Sequence, residues 1–392
     1  MKERTQVAII GAGPAGLVLA QLLHLQGIES VILENRSRDY VEKRIRAGML
    51  EQRVVNLLIA IGVGERLQRE AMVHTGLNFQ FEGERHRIPL DELTPGRNVT
   101  IYGQQEVVKD LIAARLAAGG VIKFEAAVEG LQGLDESRTV VRYRENGTLR
   151  ELEADYVAGC DGFHGVCRGA VADSKIYEKV YPFAWLGILA QVAPSCDELI
   201  YARHERGFAL HTMRTPKLTR LYLQCPVEDT VEQWSDDRIW SELSARLNIP
   251  GWSLEDGPIV DKGITEMRSF VHTPMQQGRL FLAGDSSHIV PPTGAKGMNL
   301  AIADSMVLAE ALSAYYKTGA SERLARYTAD CLPRVWRAQH FSWWWTTLFH
   351  RFDDEDAQFQ EQLQVSQLRY MLASRPALTS MAENYVGLER VV

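Results

Sequence analysis

The feature that most constrains this chain lies near its start. The apolar run Val7-Ala8-Ile9-Ile10 leads straight into Gly11-Ala12-Gly13-Pro14-Ala15-Gly16, and a helical pattern follows from Pro14 to Gln26. A second apolar run, Val31-Ile32-Leu33, ends on Glu34, 23 positions after Gly11. Strand, glycine-rich turn, helix and strand within about 30 residues predict a βαβ unit with parallel, buried strands. Such glycines permit a tight turn and the close approach of a pyrophosphate, whose charge sits at a helix N-terminus. Glu34 is placed to accept hydrogen bonds from a ribose diol. The candidate dinucleotide-binding residues are therefore Gly11, Gly13, Gly16 and Glu34. The plain alternative is a glycine-rich turn that binds nothing, and the motif alone does not separate a nicotinamide from a flavin dinucleotide.

A length of 392 residues allows roughly two to three domains. Lys and Arg total 43 against 50 Asp and Glu, a net charge of −7. No overall basic field is therefore expected to recruit nucleic acid or anionic lipid. The longest apolar runs are a few residues, far short of the roughly 20 that span a bilayer. Met1-Lys2-Glu3-Arg4 leads into the first strand with no signal-peptide apolar region. The five cysteines form no CxxC pair, which argues against a disulfide scaffold and against thiol redox chemistry. Cys160 and Cys167 have no matching Cys/His cluster, so no metal site is expected. A cytoplasmic setting is the expectation.

The pattern opens α/β, turns β-rich and closes helical. Helical patterns run over Leu50–Ala60 and Gln105–Ala118, and Leu77–Phe81 with Arg85–Leu90 reads as an antiparallel pair turned at Glu82-Gly83. A hairpin signal, Glu145-Asn146-Gly147, joins Thr139–Tyr143 to Leu149–Leu152. Strand-like runs follow at Tyr201, Phe208–His211 and Arg220–Gln224. Gly297–Tyr316, Glu322–Phe349 and Asp354–Leu372 read as helices, with Pro333 expected to kink or split the middle one. The Trp336, Phe341 and Trp343-Trp344-Trp345 positions on it are expected in a core or a subunit interface.

Two further strand-ending acidic turns extend the first motif: Gly159-Cys160-Asp161-Gly162, followed by Arg168, and Leu282-Ala283-Gly284-Asp285. In this order the three resemble the signature of class A flavoprotein aromatic hydroxylases. The longer segment Gly284–Asn299 strengthens the resemblance, with Arg44-Ile45-Arg46-Ala47-Gly48, Tyr201, Arg206–Leu210 and Glu383–Leu388. These segments look like the 4-hydroxybenzoate 3-monooxygenase group of that family, from residue 5 to about 388. The implied fold is α/β: a Rossmann-like FAD-binding domain over 1–176, completed by 268–320, a β-sheet substrate domain over 177–267, and a helical interface region over 321–392. A homodimer built through the helical end is implied as well.

The implied reaction turns 4-hydroxybenzoate into 3,4-dihydroxybenzoate with NAD(P)H and O2, through a flavin C4a-hydroperoxide. Electrophilic oxygen transfer is faster onto a phenolate, so the site must favour loss of the phenol proton. The resemblance places Tyr201 on the substrate hydroxyl, Tyr385 on Tyr201, and His74 at the solvent end of the relay. Arg214 would hold the substrate carboxylate, with Thr212 and Tyr222 as hydroxyl donors. The backbone of Pro292 would face the substrate hydroxyl. Thr212 stands where a family member carries Ser, and its extra methyl points to altered benzoate selectivity as an alternative.

FAD contacts carried over are Arg44, Gln104, Asp161, Arg220 and Asp285. Gly297, Met298 and Asn299 join them, at a helix start whose dipole favours negative charge on the reduced ring. Arg46, His164 and Arg268 match nicotinamide-nucleotide positions; each is otherwise a solvated surface group. Arg36 and Arg38 could meet a 2′-phosphate, which favours NADPH while allowing NADH. A non-catalytic FAD-binding protein is the alternative from another class.

Overall fold

A computed structural model describes residues 3–44, 46, 48–353 and 355–387. The first strand, Glu3–Ile10, is central to an eight-stranded sheet, parallel to Ser30–Leu33 on one side and Thr148–Gly159 on the other. Its Val7, Ala8 and Ile9 are fully buried in succession, because both faces of a parallel sheet are covered. Leu280–Leu282 adds in parallel beyond Thr148–Gly159, so the three acidic or glycine-rich turns leave one end of neighbouring strands. The expected hairpin is present: Thr139–Glu145 pairs antiparallel with Thr148–Gly159, and Asn146 and Gly147 both take positive φ.

A second eight-stranded sheet carries Lys175–Ala190 and Ile259–Thr273 side by side, followed outward by Leu218–Cys225, Ala209–Thr215 and Ile200–Ala202. Burial alternates along Leu218–Cys225, so successive residues serve different layers. One face packs Phe79, Trp185, Tyr201 and Phe208 against Phe341, Trp345, Phe349 and Tyr385 of the C-terminal helices. The other packs Leu186, Ile188, Ile200 and Leu221 against Ile239, Leu243 and Leu247 of the helix Asp236–Leu247.

The hairpin Gly76–Phe81/Glu84–Pro89 forms as expected but joins this second sheet, through parallel pairing with Ile200–Ala202. An edge strand must find a partner, and local sequence does not say which sheet supplies it. The boundaries expected at 176/177 and 267/268 fall inside the two long strands. Residues 49–51 form a strand against Val99–Ile101, and the helix expected from Leu50 begins at Gln52.

The expected helix 322–349 does break, but at Arg326, and Tyr327–Phe349 runs on through Pro333. The proline forfeits one backbone hydrogen bond, while Tyr327, Cys331, Val335, Phe341 and Trp345 bury the helix along its length. Of the tryptophans, Trp345 is in the core, while Trp336 and Trp343 are exposed. The helix expected from Asp354 is Ala357–Ala373, and Asp354 itself lies outside the described residues. A last helix, Arg375–Val386, was not anticipated; it carries Tyr385. Among the described residues no helix is long and apolar enough to cross a membrane.

Candidate active site

The three glycines of the first motif are needed for different reasons. Gly11 has φ +107°, and a Cβ there would lie 2.3 Å from the Cys160 carbonyl oxygen and 3.2 Å from Asp161 Cα. A Cβ on Gly16 would lie 2.1 Å from the Gly11 carbonyl oxygen. Gly13 meets no protein atom within 4 Å, and it precedes a helix whose first turn has no side-chain cap and no acidic residue. That open, uncapped helix start fits a pyrophosphate. Glu34 accepts the Ala12 and Arg36 N–H groups, each at 2.8 Å, one on each carboxylate oxygen. Each oxygen keeps a second lone pair for a ribose hydroxyl.

The second and third motifs converge on the first. Asp161 lies against Gly11, and a Cβ on Gly284 would be 3.5 Å from Ala15 Cβ. Asp161 Oδ2 accepts the Cys167 N–H at 2.9 Å, Oδ1 is buried without a partner among the described residues, and burial raises the carboxyl. Asp285 stays accessible to solvent at the turn; the crowded cleft raises its carboxyl, opposed by His288, Arg46 and Arg44.

Beneath the turn, Asp304 Oδ2 accepts the Gly284 N–H at 3.0 Å and lies 2.6 Å from His288 Nε2, both side chains buried. Burial opposes charge on His288, but Asp304 outweighs it and the imidazole is shifted up. Gly48 packs closely on Tyr102 and Gly103, beside Gln104 at a helix start. Between Arg44 and Gly48, Ile45 and Ala47 lie outside the described residues.

Gly297 and Met298 open the helix Gly297–Thr318. Asn299 is engaged within the protein: Oδ1 accepts the Glu51 N–H at 2.9 Å, and Nδ2 donates to the Met49 and Ala295 carbonyls. Lys296, not singled out from sequence, donates to Glu51 Oε1 and to the Tyr385 carbonyl, each at 2.7 Å.

Tyr201 Oη donates to the Thr293 carbonyl at 3.1 Å and lies 2.9 Å from Tyr385 Oη. With its single proton so directed, Tyr201 accepts from Tyr385. Burial pushes Tyr201 up to about 12 and Tyr385 well above its ordinary value, so both hydroxyls keep their protons at rest. The Pro292 carbonyl accepts the Ala295 N–H at 2.9 Å, where the 3-10 turn Pro292–Gly294 closes, and keeps its second lone pair. His74 was expected at the solvent end of the relay, yet it is 2% exposed. Burial lowers its basicity against the pull of Glu198 and Asp197.

Thr212 stands opposite Arg220, and Leu210 opposite Tyr222, across the strand pair Ala209–Thr215/Leu218–Cys225. A register shift between Met213 and Thr215 flanks Arg214. Burial lowers its half-buried guanidinium, opposed by the Tyr222 hydroxyl to which it hydrogen-bonds, and its Nε has no partner among the described residues. A desolvated guanidinium with an unpartnered N–H fits a carboxylate ligand. Arg220 lies over Gly187, where a Cβ would be 2.6 Å from its Nη2, and its Cζ is 5.1 Å from the Tyr222 ring centre. Gly187 was missed from sequence, since only cross-strand packing reveals it.

His164 and Arg268 meet at Phe163, with the His164 ring 5.1 Å and Arg268 Cζ 4.9 Å from its ring centre. Arg268 also pairs with Glu178 and Glu266. Arg46 is exposed and stands with the Asp285 group instead. Arg36 lies 5.2 Å over Tyr40, and Arg38 is paired with Glu42 at 2.6 Å.

Known proteins match this arrangement. The FAD binding domain family matches residues 4–342. The p-hydroxybenzoate hydroxylase of Acinetobacter baylyi is 49% identical over 388 residues, covering 98% of this chain and 96% of that enzyme. A probable NADH-specific resorcinol 4-hydroxylase of Rhodococcus jostii is 26% identical, over 85% of this chain and 63% of its own length. The structure of p-nitrophenol 4-monooxygenase from Pseudomonas putida superposes over all of both chains with a TM-score of 0.87 at 18% identity, a likeness of fold. Converging FAD-type motifs, a family match over most of the chain and near end-to-end identity with one hydroxylase place this chain in the class A FAD-dependent aromatic hydroxylase family.

Proposed function

We propose that the chain hydroxylates 4-hydroxybenzoate to 3,4-dihydroxybenzoate with FAD, NADPH and O2. The observation that carries this reading is one face of the second sheet with opposite chemistry at its ends. A hydrogen-bonded pair of buried phenols, Tyr201 and Tyr385, lies at one end, and Arg214, with an unpartnered Nε, beside Tyr222 at the other. Bound FAD supplies the hydride acceptor and the oxygen-activating ring, held by Gly11, Gly13, Gly16, Glu34, Arg44, Gln104, Asp161, Arg220, Asp285 and the 297–299 helix start.

Arg214 pairs with the substrate carboxylate, and the Thr212 and Tyr222 hydroxyls complete that end. At the other end the substrate's phenolic proton passes to Tyr201 Oη as the Tyr201 proton moves to Tyr385 and the Tyr385 proton passes onward out of the pocket. Tyr201 then donates to the phenolate, which is the activated nucleophile. Arg46, His164 and Arg268 bind the nicotinamide nucleotide, with Arg36 facing a 2′-phosphate; Arg38, paired with Glu42, is the weaker candidate. The chain acts as a cytoplasmic homodimer through its helical end, with the FAD domain centred on the first sheet and the substrate domain on the second.

The test follows NADPH oxidation and catechol formation by the FAD-loaded protein, with and without 4-hydroxybenzoate. Oxidation stimulated by this substrate with stoichiometric 3,4-dihydroxybenzoate is expected. Oxidation indifferent to it, with no catechol formed, overturns the proposal; a panel of hydroxybenzoates then identifies the preferred ring.

A further inference from the structure

We propose that the last turn of the helix Tyr327–Phe349, with His350 just beyond it, is a length gauge that fixes the two ends of the substrate pocket relative to each other. His350 is then a positioning residue that selects benzoates over longer para-hydroxylated acids. The inference rests on the substrate reading above.

At the hydroxyl end, Thr346 Oγ1 lies 2.9 Å from Thr293 Oγ1 and 2.7 Å from the Ser342 carbonyl. Thr293 is the residue whose carbonyl receives Tyr201. At the carboxylate end, Trp185 Nε1 donates to His350 Nε2 at 2.6 Å. The other ring nitrogen, Nδ1, is 2.9 Å from the Thr346 carbonyl. A carbonyl only accepts, so Nδ1 carries the proton and Nε2 is left as the acceptor that the indole needs.

His350 is fully buried and stacked between Phe183 at 4.6 Å and Phe208 at 4.4 Å, ring centre to ring centre. Burial pushes it down to about 3, so the neutral tautomer persists across the working pH range. Trp185, held this way, lies 4.8 Å from the Tyr222 ring. Tyr222 stands across from Gly187, whose missing side chain leaves the space that the Tyr222 ring and the Arg220 guanidinium fill. Thr346 and His350 are one helical turn apart, about 6 Å along the axis, comparable to the span from the hydroxyl oxygen to the carboxyl carbon of 4-hydroxybenzoate. A rigid backbone turn therefore joins the element receiving Tyr201 to the one backing Tyr222.

The experiment compares His350→Leu, which removes the acceptor, with His350→Gln, whose amide oxygen restores one. Both are studied as FAD-loaded enzyme with 4-hydroxybenzoate and 4-hydroxyphenylacetate. His350→Leu is expected to raise KM for 4-hydroxybenzoate roughly ten-fold, the worth of one buried hydrogen bond. Its kcat should stay within about three-fold, and its preference should shift towards the longer acid. His350→Gln should recover most of both effects.

Trp185→Phe breaks the same hydrogen bond from the other side and should reproduce the Leu phenotype, which covers the case of a variant that does not fold. An unchanged KM and selectivity in folded His350→Leu or Trp185→Phe overturns the gauge, as does an equal shift in Leu and Gln. Absence of benzoate-stimulated turnover in the unmodified chain overturns the substrate reading instead.

Discussion

Replacing Gly11 and Gly13 separately by alanine should give opposite phenotypes from neighbouring positions. At Gly11 the φ of +107° strains any residue with a Cβ by about 1–3 kcal/mol. The new Cβ would also sit 2.3 Å from the Cys160 carbonyl oxygen, a backbone atom that moves only if the paired strands Glu3–Ile10 and Thr148–Gly159 separate at their ends. Separation there strains the Cys160 N–H to Ile10 carbonyl hydrogen bond, now 2.8 Å, worth about 1 kcal/mol. Gly11→Ala should therefore cost the apoprotein about 3 kcal/mol or more.

At Gly13 the backbone is extended (φ −78°, ψ 178°) and nothing lies near the Cβ position. Reduced unfolded-state entropy gains about 0.4–1 kcal/mol, and the poorer alanine N-cap offsets a similar amount. The apoprotein should stay within about 1 kcal/mol of wild type, yet FAD affinity should fall at least roughly ten-fold because the methyl enters the pyrophosphate's space. Urea unfolding of each apoprotein, with FAD titration by flavin fluorescence, separates the two. An apoprotein destabilised as much by Gly13→Ala as by Gly11→Ala, or undiminished FAD binding in Gly13→Ala, would refute the reasoning.

Tyr385→Phe removes a donor from Tyr201 worth about 1 kcal/mol. It should slow hydroxylation and divert reducing equivalents to peroxide with FAD still bound; the ratio of catechol to NADPH consumed checks this. His211 and His350, held by burial at about 4 and about 3, stay neutral in the fold while an unfolded histidine protonates near 6.5. Their stabilisation is complete above about pH 6.5 and is lost as pH falls towards 4 for His211 and towards 3 for His350, at about 1.4 kcal/mol per pH unit for each. His211→Leu should remove one such increment from the slope of urea-unfolding free energy against pH, and an unaltered slope would contradict its neutrality in the fold. Lys296→Met leaves the Glu51 carboxylate without its 2.7 Å ammonium partner and should cost about 3 kcal/mol. The double variant with Glu51→Gln should recover most of that loss in the same unfolding measurement.

Much of the nucleotide site was legible because it is local. A strand, a glycine turn and a helix N-terminus lie within 16 residues, and each acidic turn ends its own strand. The hairpin at Asn146-Gly147 was readable for the same reason: positive φ at two adjacent positions demands those residues. Pro333 does not split its helix, because propensity is a local cost that a well-buried helix can outweigh. The Arg375–Val386 helix escaped notice, as its buried face is only Met381, Ala382, Tyr385 and Val386.

The residues missed from the site share another property. Lys296, Gly187 and His350 act through partners far away in the chain or across a sheet. Lys296 reaches Glu51, 245 positions distant, and Trp185 reaches His350, 165 positions distant. No spacing in the sequence records such a contact.

Sequence order and composition were thus enough for the α/β opening, a dinucleotide site and the chemistry available to individual side chains. Those depend on covalent neighbours and backbone dihedrals. Tertiary structure alone decided which sheet took the 76–89 hairpin and that His74 is buried. It also decided that Asn299 is already engaged and that Thr346 and His350, one helical turn apart, reach Thr293 and Trp185. Each of these follows from which surfaces exclude water against each other, a property of the folded chain as a whole.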